Sequence, residues 1–407
     1  MSRIRSTIAA YLDVIRLPGA LRLTIAAMPP RTAYGMIGLS IYFKVQQETG
    51  SIAIAGLATG FNSLSGAATS GLRGAIMDRF GLLWPLRIFV PLFALSLISL
   101  SLTSDNTTMI LIAGLMGIFA PPFNLSVRPL WKLTVPEPQQ RTAFALDTAA
   151  TRAVLIFAPI IATSVSLSFT PDLSLQICAF LILIGGALLL STKQIKVWKT
   201  EAKIPTETSI WRVRAFQLLM LEAAIIGFGR GAFDIGIPAT GTLTNLPQLV
   251  GTILAIVAAF NVLGGLAAGA ISRRISPLRA YRTNYLIWTV ASIPLALVNF
   301  DWSIMLVAAF IGFFAGAAQV FYWEITEAIR PKGTAVQTIA WLWGVDGTTA
   351  ALGISLGGYI AEHFSPRYSL GLLSLSIFFG YLLITSNQRA FHAADRPRTT
   401  ELDYPTQ

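Results

Sequence analysis

Long apolar runs alternate with short polar segments along almost the whole chain. Each run holds about 20 residues, the length that an α-helix needs to cross a hydrocarbon core of roughly 30 Å. The pattern predicts membrane-spanning helices that begin near residues 24, 52, 85, 108, 143, 173, 215, 247, 284, 303, 336 and 369. These twelve segments indicate an all-α membrane protein, since helices satisfy their own backbone hydrogen bonds in lipid.

One long polar stretch, residues 193–214, separates the first six predicted spans from the last six. Because it is rich in Lys and Glu and contains Pro205, it is typical of a linker between two domains. We therefore predict a first six-helix bundle over residues 24–192 and a second over residues 215–388. The tail, residues 389–407, has few apolar residues and is expected to be disordered.

The N-terminal segment, residues 1–23, precedes the first predicted span. Its apolar residues fall at helical spacing and indicate an interfacial helix, with a frayed polar terminus as the alternative. Residues 1–22 lack an apolar stretch followed by a small-residue cleavage site, so we expect no removable signal peptide.

Composition agrees with a membrane location, because 54% of the 407 residues are hydrophobic and only 12% are charged. The net charge of +11 would favour nucleic-acid binding in a soluble domain, but its distribution has another explanation. Outside the spans, all Lys and Arg residues except Lys44 and Arg367 fall on one set of loops. The positive-inside rule then places both termini in the cytoplasm of a bacterial inner membrane, with no role for nucleic acid.

The two predicted bundles share a weak internal repeat at an offset of 195 residues. Gly74-Ala75-Ile76 after the second span matches Gly269-Ala270-Ile271 after the eighth, and Gly117 in the fourth span matches Gly312 in the tenth. Matches in register at corresponding helices predict two pseudo-symmetric halves, an arrangement that many transporters use.

The loop after the second span reads Gly74-Ala75-Ile76-Met77-Asp78-Arg79-Phe80-Gly81. It resembles the G-x-x-x-D-R-x-G signature of the major facilitator superfamily, and the resemblance extends over about residues 20 to 388. We interpret Gly74 as a site of close helix approach and Gly81 as a turn residue. The resemblance implies that Asp78, Arg79 and Arg128 form a conformational latch; an ordinary charged turn is the alternative. In the second half Arg273 replaces the acid.

In pattern the chain is similar to the drug-efflux-like branch of that superfamily, with two departures. The fourth predicted span, residues 109–123, lacks the arginine of that branch. The fifth span has Ala158-Pro159-Ile160-Ile161-Ala162 in place of a glycine-rich G-P-x-x-G-G run. The proline is kept and the glycines are not.

Charged residues inside spans are costly in lipid and mark pathways or partners. Arg152 and Asp346 lie near the middle of spans 5 and 11, where they are the strongest candidates for substrate binding or proton coupling, with a permanent ion pair as the alternative. Arg230 and Asp234 are four residues apart, which favours a local structural pair. Glu222 is positioned to face Arg31, whose neighbours Pro29 and Pro30 should distort the first helix.

Further candidates supply hydrogen bonds or ring surfaces to the same central cavity, although helix packing explains them equally. The full candidate set is Arg31, Tyr34, Asn62, Arg152, Glu222, Arg230, Asn261, Gln319, Glu324, Trp343 and Asp346. The only cysteine, Cys178, excludes an internal disulfide, and the two histidines lack ligand spacing, so we expect no metal or cofactor.

These features favour a secondary transporter. The sequence lacks a nucleotide-binding G-x-x-x-x-G-K-[ST] loop, so direct ATP drive has no support, and it lacks a catalytic metal constellation, so an enzyme is not favoured. The leading hypothesis is proton-coupled efflux of a small amphiphilic compound by alternating access. The alternative is a proton-coupled symporter that imports a polar or anionic metabolite, and less favoured ones are a lipid-modifying membrane enzyme and a non-transporting receptor. The resemblance implies a monomer.

Overall fold

The computed structural model describes residues 12–197, 210–271, 275–330 and 335–394. Within these ranges every regular element is a helix. The chain divides into two compact units, Met1–Ala202 and Lys203–Gln407, which are described separately below.

Residues 12–16, the first that the structure describes, are helical, and the described residues of the first unit form eight further helices after residue 19. They are α1 (Ala20–Thr49), α2 (Ile52–Phe80), α3 (Leu83–Ser101), α4 (Asn106–Phe119), α5 (Phe123–Thr134), α6 (Glu137–Ser168), α7 (Pro171–Leu190) and the short α8 (Lys193–Val197). Helix α1 packs against α6 and α7, α2 packs against α4, and α3 packs against α7. Helix α1 is therefore the centre of this unit.

The second unit repeats this arrangement, except that the single helix α12 takes the place of the two helices α4 and α5. Its helices are α9 (Arg214–Leu243), α10 (Leu249–Gly269), α11 (Pro277–Ser292), α12 (Trp302–Ile329), α13 (Ala335–His363) and α14 (Pro366–Ser386), with 3-10 helices at Ile210–Arg212, Ile293–Ala296 and Gln388–Ala394. Helix α9 packs against α13 and α14, α10 against α12, and α11 against α14.

Several helices begin at a polar residue whose side chain accepts a hydrogen bond from the first turn, which satisfies a backbone N–H that has no partner within the helix. The capping residues are Ser51, Asp105, Thr170, Ser276, Asp301 and Ser365. At α4 the hydrogen bonds from the Thr108 hydroxyl and N–H hold the pKa of Asp105 below its ordinary value. These caps fix where the apolar segments begin.

The internal repeat is visible in the helix contacts of each unit. A Cβ at Gly117 in α4 would meet the carbonyl oxygen of Asn62 in α2, and a Cβ at Gly312 in α12 would meet that of Val257 in α10. Gly312 and Val257 lie 195 residues after Gly117 and Asn62, respectively, which is the offset of the repeat in the sequence. The same helix pair in each unit therefore approaches at the same position, through a glycine.

Substituting Gly117→Ala or Gly312→Ala should destabilise the protein by about 1–3 kcal/mol, because the new methyl group would press on the backbone of a neighbouring helix. Gly71→Ala in α2 is the matched control, since no atom lies within 4 Å of a Cβ there. It should be neutral or stabilise by up to about 1 kcal/mol. Thermal unfolding in detergent, followed by tryptophan fluorescence, measures all three; equal midpoints would contradict the contact.

Six helices in the described residues combine the length and the hydropathy needed to cross a bilayer: Leu83–Ser101, Thr142–Ser168, Pro171–Leu190, Leu249–Gly269, Trp302–Ile329 and Pro366–Ser386. A helix also covers each of the other predicted segments, but four of these helices carry more polar residues, and α4 and α11 are short. Large apolar side chains stand exposed along the helices, among them Leu95, Phe180 and Phe310. The count of twelve spans stays a prediction.

Helix α1 contains Pro29 and Pro30 in a single helical run, and the distortion expected there stays a prediction. Two other sequence-based expectations differ from the structure. The fourth predicted span is not one helix, since α4 ends at Phe119 and α5 begins at Phe123, on either side of Pro121 and Pro122. The expected disorder of the tail does not hold for residues 389–394, which belong to a 3-10 helix that buries Phe391. The rest of the tail, residues 1–11 and most of the linker lie outside the described residues.

Candidate functional site

A buried ion pair joins three helices of the first unit. The guanidinium of Arg31 in α1 contacts both carboxylate oxygens of Asp147 in α6, at 2.9 and 3.0 Å, and the two side chains are 5% and 7% exposed. The indole N–H of Trp131 in α5 donates to the same carboxylate at 3.1 Å. The charge of Arg31 is thus neutralised within its own unit, by Asp147.

The break in the fourth span is held by a second arginine. Arg73 in α2 is 8% exposed and donates to the carbonyl oxygens of Gly117 and Ala120 at 2.7 and 2.8 Å and to that of Gly66 at 2.6 Å. The hydroxyl of Tyr34 donates to the carbonyl oxygen of Pro121 at 2.5 Å. The bonds to Gly117, Ala120 and Pro121 satisfy carbonyls next to the break, which a bilayer would otherwise leave without helical partners. Gly66 lies within the continuous helix α2, so the bond to its carbonyl anchors the Arg73 side chain.

Sequence reasoning assigned Arg73 to a cytoplasmic loop, and that assignment was wrong. The residue lies within α2, because this helix continues to Phe80. The available signal was the Pro121-Pro122 pair, since two successive prolines in a span free carbonyls that need a donor from elsewhere.

Three charged side chains meet between α9 and α13 in the second unit. Arg230 contacts Asp346 at 2.6 Å and Asp234 at 3.5 Å. The side chains of Arg230 and Asp234 are 46% and 44% exposed, and that of Asp346 is 19% exposed. Two carboxylates share one guanidinium, so this acidic triad carries one excess negative charge when both are ionised. The pairing of Asp346 with Arg152 predicted from the sequence remains untested.

A buried carboxyl group on α9 accepts its hydrogen bonds from tyrosine hydroxyls. Glu222 is 3% exposed and accepts hydrogen bonds from the hydroxyls of Tyr281, at 2.9 Å, and Tyr285, both on α11. The rings of these tyrosines meet edge to face, with centroids 4.8 Å apart. The expected pairing of Glu222 with Arg31 stays a prediction, and the tyrosines are partners that the sequence reasoning did not identify.

The remaining candidates lie on the expected helices. Asn62 donates to the carbonyl oxygen of Ala113 at 2.9 Å and so joins α2 to α4. This contact fits the alternative in which Asn62 serves helix packing. The rings of Trp323 and Trp343, on α12 and α13, are 6.1 Å apart, and Trp343 is half exposed. Arg152, Asn261, Gln319 and Glu324 are partly exposed on α6, α10, α12 and α12, respectively.

The loop motif after α2 is only partly described. Gly81 has a φ of +77°, which L-residues rarely adopt, so a glycine suits the turn there. A Cβ at Gly74 would meet no atom of the described residues within 4 Å, and the close helix approach expected at this glycine stays a prediction. Arg79 is exposed, with its guanidinium 5.3 Å from the ring centre of Phe80. The side chains of Asp78 and Arg128 lie outside the described part of the structure, and the latch stays a prediction.

The described side chains include no group of three or more His, Cys, Asp or Glu residues that would hold a metal ion. What these arrangements can do chemically is to bind protons, cations or polar groups within the helices, through the acidic triad and through Glu222.

Comparisons with known proteins agree with this fold. The family model described as Major Facilitator Superfamily matches residues 23–345. No curated protein matches the chain. A mutant of the nucleoside transporter NupG superposes with a TM-score of 0.75 at 15% identity, covering 91% of this chain and 99% of that one.

Two further solved structures are similar at the level of the fold. A bacterial homologue of the iron transporter ferroportin, in an inward-facing state, gives a TM-score of 0.73 at 12% identity and covers 90% of this chain and 98% of its own. A bacterial homolog of the human lysosomal transporter Spinster, inward-facing and occupied, gives a TM-score of 0.69 at 15% identity with 93% and 96% covered.

Proposed function

The chain belongs to the Major Facilitator Superfamily, and on that premise we propose that it moves a small molecule across a bacterial inner membrane by alternating access. It is an integral membrane transporter and not an enzyme. In this proposal twelve helices span the membrane in two bundles, residues 24–192 and 215–388, and both termini are cytoplasmic. The positive charge of one set of loops supports this orientation. The transporter works as a monomer.

Proton coupling is the source of energy in this proposal, and the acidic triad of Arg230, Asp234 and Asp346 is the observation that carries it. Charges in membrane helices persist where water, a partner or a substrate meets them. Here the side chains of Arg230 and Asp234 are about half exposed within the second unit, and one negative charge remains unbalanced when both carboxyl groups are ionised. A proton on either carboxyl group removes that charge, and its release restores the second ion pair.

Export of an amphiphilic compound is the direction that we favour. The paired rings of Trp323 and Trp343 offer an apolar surface, and Trp343 is three residues before Asp346 on one face of α13. A ligand with an aromatic part and a polar part would fit this combination of ring surface and charge.

Import of a polar or anionic metabolite with a proton is the second candidate. The arginines inside predicted spans favoured it, and NupG, a structural neighbour, is named as a nucleoside transporter. Since Arg31 and Arg230 are already ion-paired with carboxylates of their own units, this observation supports import less than the sequence did.

The test is uptake and retention in cells with and without the protein. The panel contains ethidium, tetraphenylphosphonium, uridine and ferrous iron, each measured with and without a protonophore. We expect lower retention of an amphiphile, lost with the protonophore and lost with Asp346→Asn, because that change removes the negative charge that holds Arg230. Asp105→Asn, at an exposed helix cap, is the matched control and should transport normally.

Two outcomes would contradict this proposal. Accumulation of uridine that needs the proton gradient would make the protein an importer. Transport that persists unchanged in the presence of the protonophore and in Asp346→Asn would exclude proton coupling through the triad.

A further inference from the structure

The surroundings of Glu222 differ from those of every other buried carboxyl group in the described residues. Asp147 meets an arginine at 2.9 Å, whereas the hydrogen bonds of Glu222 come from the phenol groups of Tyr281 and Tyr285. Both tyrosines are 1% exposed, and Glu222 is 3% exposed. The carboxyl group therefore sits in a closed pocket of aromatic rings.

Further polar atoms surround this pocket without hydrogen-bond partners. The Tyr322 hydroxyl and the Trp288 indole nitrogen are buried and have no hydrogen-bond partner among the described residues. The Tyr322 ring lies 6.5 Å from that of Tyr281, and the Trp288 ring lies 5.6 Å from that of Tyr285. Unpaired buried donors are costly, and they often mark a place where another state of the protein or a water molecule supplies the partner.

Two arginines on the helices that form this pocket, Arg230 and Arg282, contact other residues. Arg230 is eight residues further along α9, about 12 Å along the helix axis, and it is bound to Asp346 and Asp234. Arg282 on α11 donates to Gln388 at 2.6 Å. Helix α12 brings Tyr322, α13 brings Asp346 within electrostatic range of Glu222, and α10 has no titratable residue.

An ionised carboxyl group in such a pocket would lack a compensating positive charge, and burying an uncompensated charge is strongly unfavourable. A bound proton removes this penalty, while the two phenol donors stabilise the ionised group when water or an opened pocket allows release. The pocket thus suits a group that exchanges a proton with solvent, Glu–COOH giving Glu–COO⁻ and H⁺.

We propose that Glu222 carries a second coupled proton of transport, held by Tyr281 and Tyr285 in the conformation seen here, in addition to the proton exchanged at the acidic triad. This inference rests on the proposed function, since it adds a second proton-binding group to that cycle. Both groups then have members on the same helix, α9.

Infrared spectroscopy of the purified full-length protein tests the proton directly and needs no substrate. The carbonyl stretch of a protonated carboxyl group should be present in the wild-type protein and disappear in one step as the pH rises. Glu222→Gln should lack this component, and Asp346→Asn should keep it. Tyr285→Phe should move the step to a higher pH, because it removes a donor to the ionised group. If the step is absent in the wild type or remains in Glu222→Gln, Glu222 does not hold this proton; the vesicle experiment decides whether the proton is coupled to transport.

Vesicles loaded with the pH-sensitive dye pyranine test the coupling. Addition of the panel compound that the wild-type protein transports should move fewer protons for each transported molecule in Glu222→Gln than in the wild type, because only the triad then exchanges a proton. Retention of the infrared component in Glu222→Gln, or proton movement equal to the wild type in that variant, overturns the inference. If the wild-type protein transports none of the panel, the proposed function fails, and the infrared result still decides whether Glu222 holds the proton.

Discussion

Replacing Asp147 with Asn is expected to lower the free energy of unfolding by about 3–5 kcal/mol, because it leaves the buried guanidinium of Arg31 without its counter-charge. The pair is 5% and 7% exposed, so water cannot take the place of the carboxylate. Thermal unfolding in detergent, combined with the fraction of protein that elutes as a single species, gives the measurement.

The double variant Arg31→Leu with Asp147→Leu separates charge from packing. Because apolar residues of similar volume often replace a buried ion pair at little cost, this variant should recover most of the stability lost in Asp147→Asn. If Asp147→Asn unfolds at the wild-type temperature, or if the double variant is the less stable of the two, then the ion pair does not hold α1 to α6 as described.

Substituting Arg73→Ala should have the second large effect, a loss of about 3 kcal/mol or more, since several buried carbonyls would lose their donor at about 1–3 kcal/mol for each unpaired group. Arg73→Lys keeps the charge but not the planar set of donors that reaches Gly117, Ala120 and Gly66, so it should recover only part of this loss. The midpoint of chemical or thermal unfolding reports the difference.

Arg79→Ala is the matched control for Arg73. It removes an arginine from the same helix, at an exposed position, and should change stability by no more than about 0.5 kcal/mol. Equal effects of Arg73→Ala and Arg79→Ala would show that the arginine does not stabilise the break in the fourth span.

The helices themselves followed well from the sequence, because hydropathy and length decide where a chain can cross a bilayer. A helix covers each predicted segment in the described residues, and the 195-residue repeat reappears as matched glycine contacts. The helices can be predicted locally, because each apolar segment must form its backbone hydrogen bonds within its own helix in lipid.

The contacts of the charged side chains were harder to predict from the sequence than the helices were. The sequence did not identify the contact of Asp346 with Arg230 or those of Glu222 with two tyrosines, all within the second unit. The pairings of Asp346 with Arg152 and of Glu222 with Arg31, proposed on depth alone, stay predictions. Depth along a span fixes one coordinate only. The face of the helix on which each side chain lies decides the partner, and that depends on how neighbouring helices pack.

The proline pairs show the same limit. Pro29-Pro30 lies within an uninterrupted helix, while Pro121-Pro122 separates two helices. Both pairs remove backbone donors, so local chemistry alone does not distinguish them. What differs is the surroundings: Arg73 and Tyr34 reach the carbonyls near Pro121, and that supply of donors makes the break tolerable.

The break between α4 and α5 should also raise the rate of amide hydrogen exchange at the start of α5. Prolines have no exchangeable amide hydrogen, and the N–H of Phe123 bonds only to the nearby carbonyl of Pro121. The first amides of α5 therefore lack the helical partners that slow exchange elsewhere. In the second unit α12 continues unbroken from Trp302 to Ile329. Two halves with a common pattern of helix contacts would thus exchange at different rates at equivalent positions, with the faster amides confined to the first half.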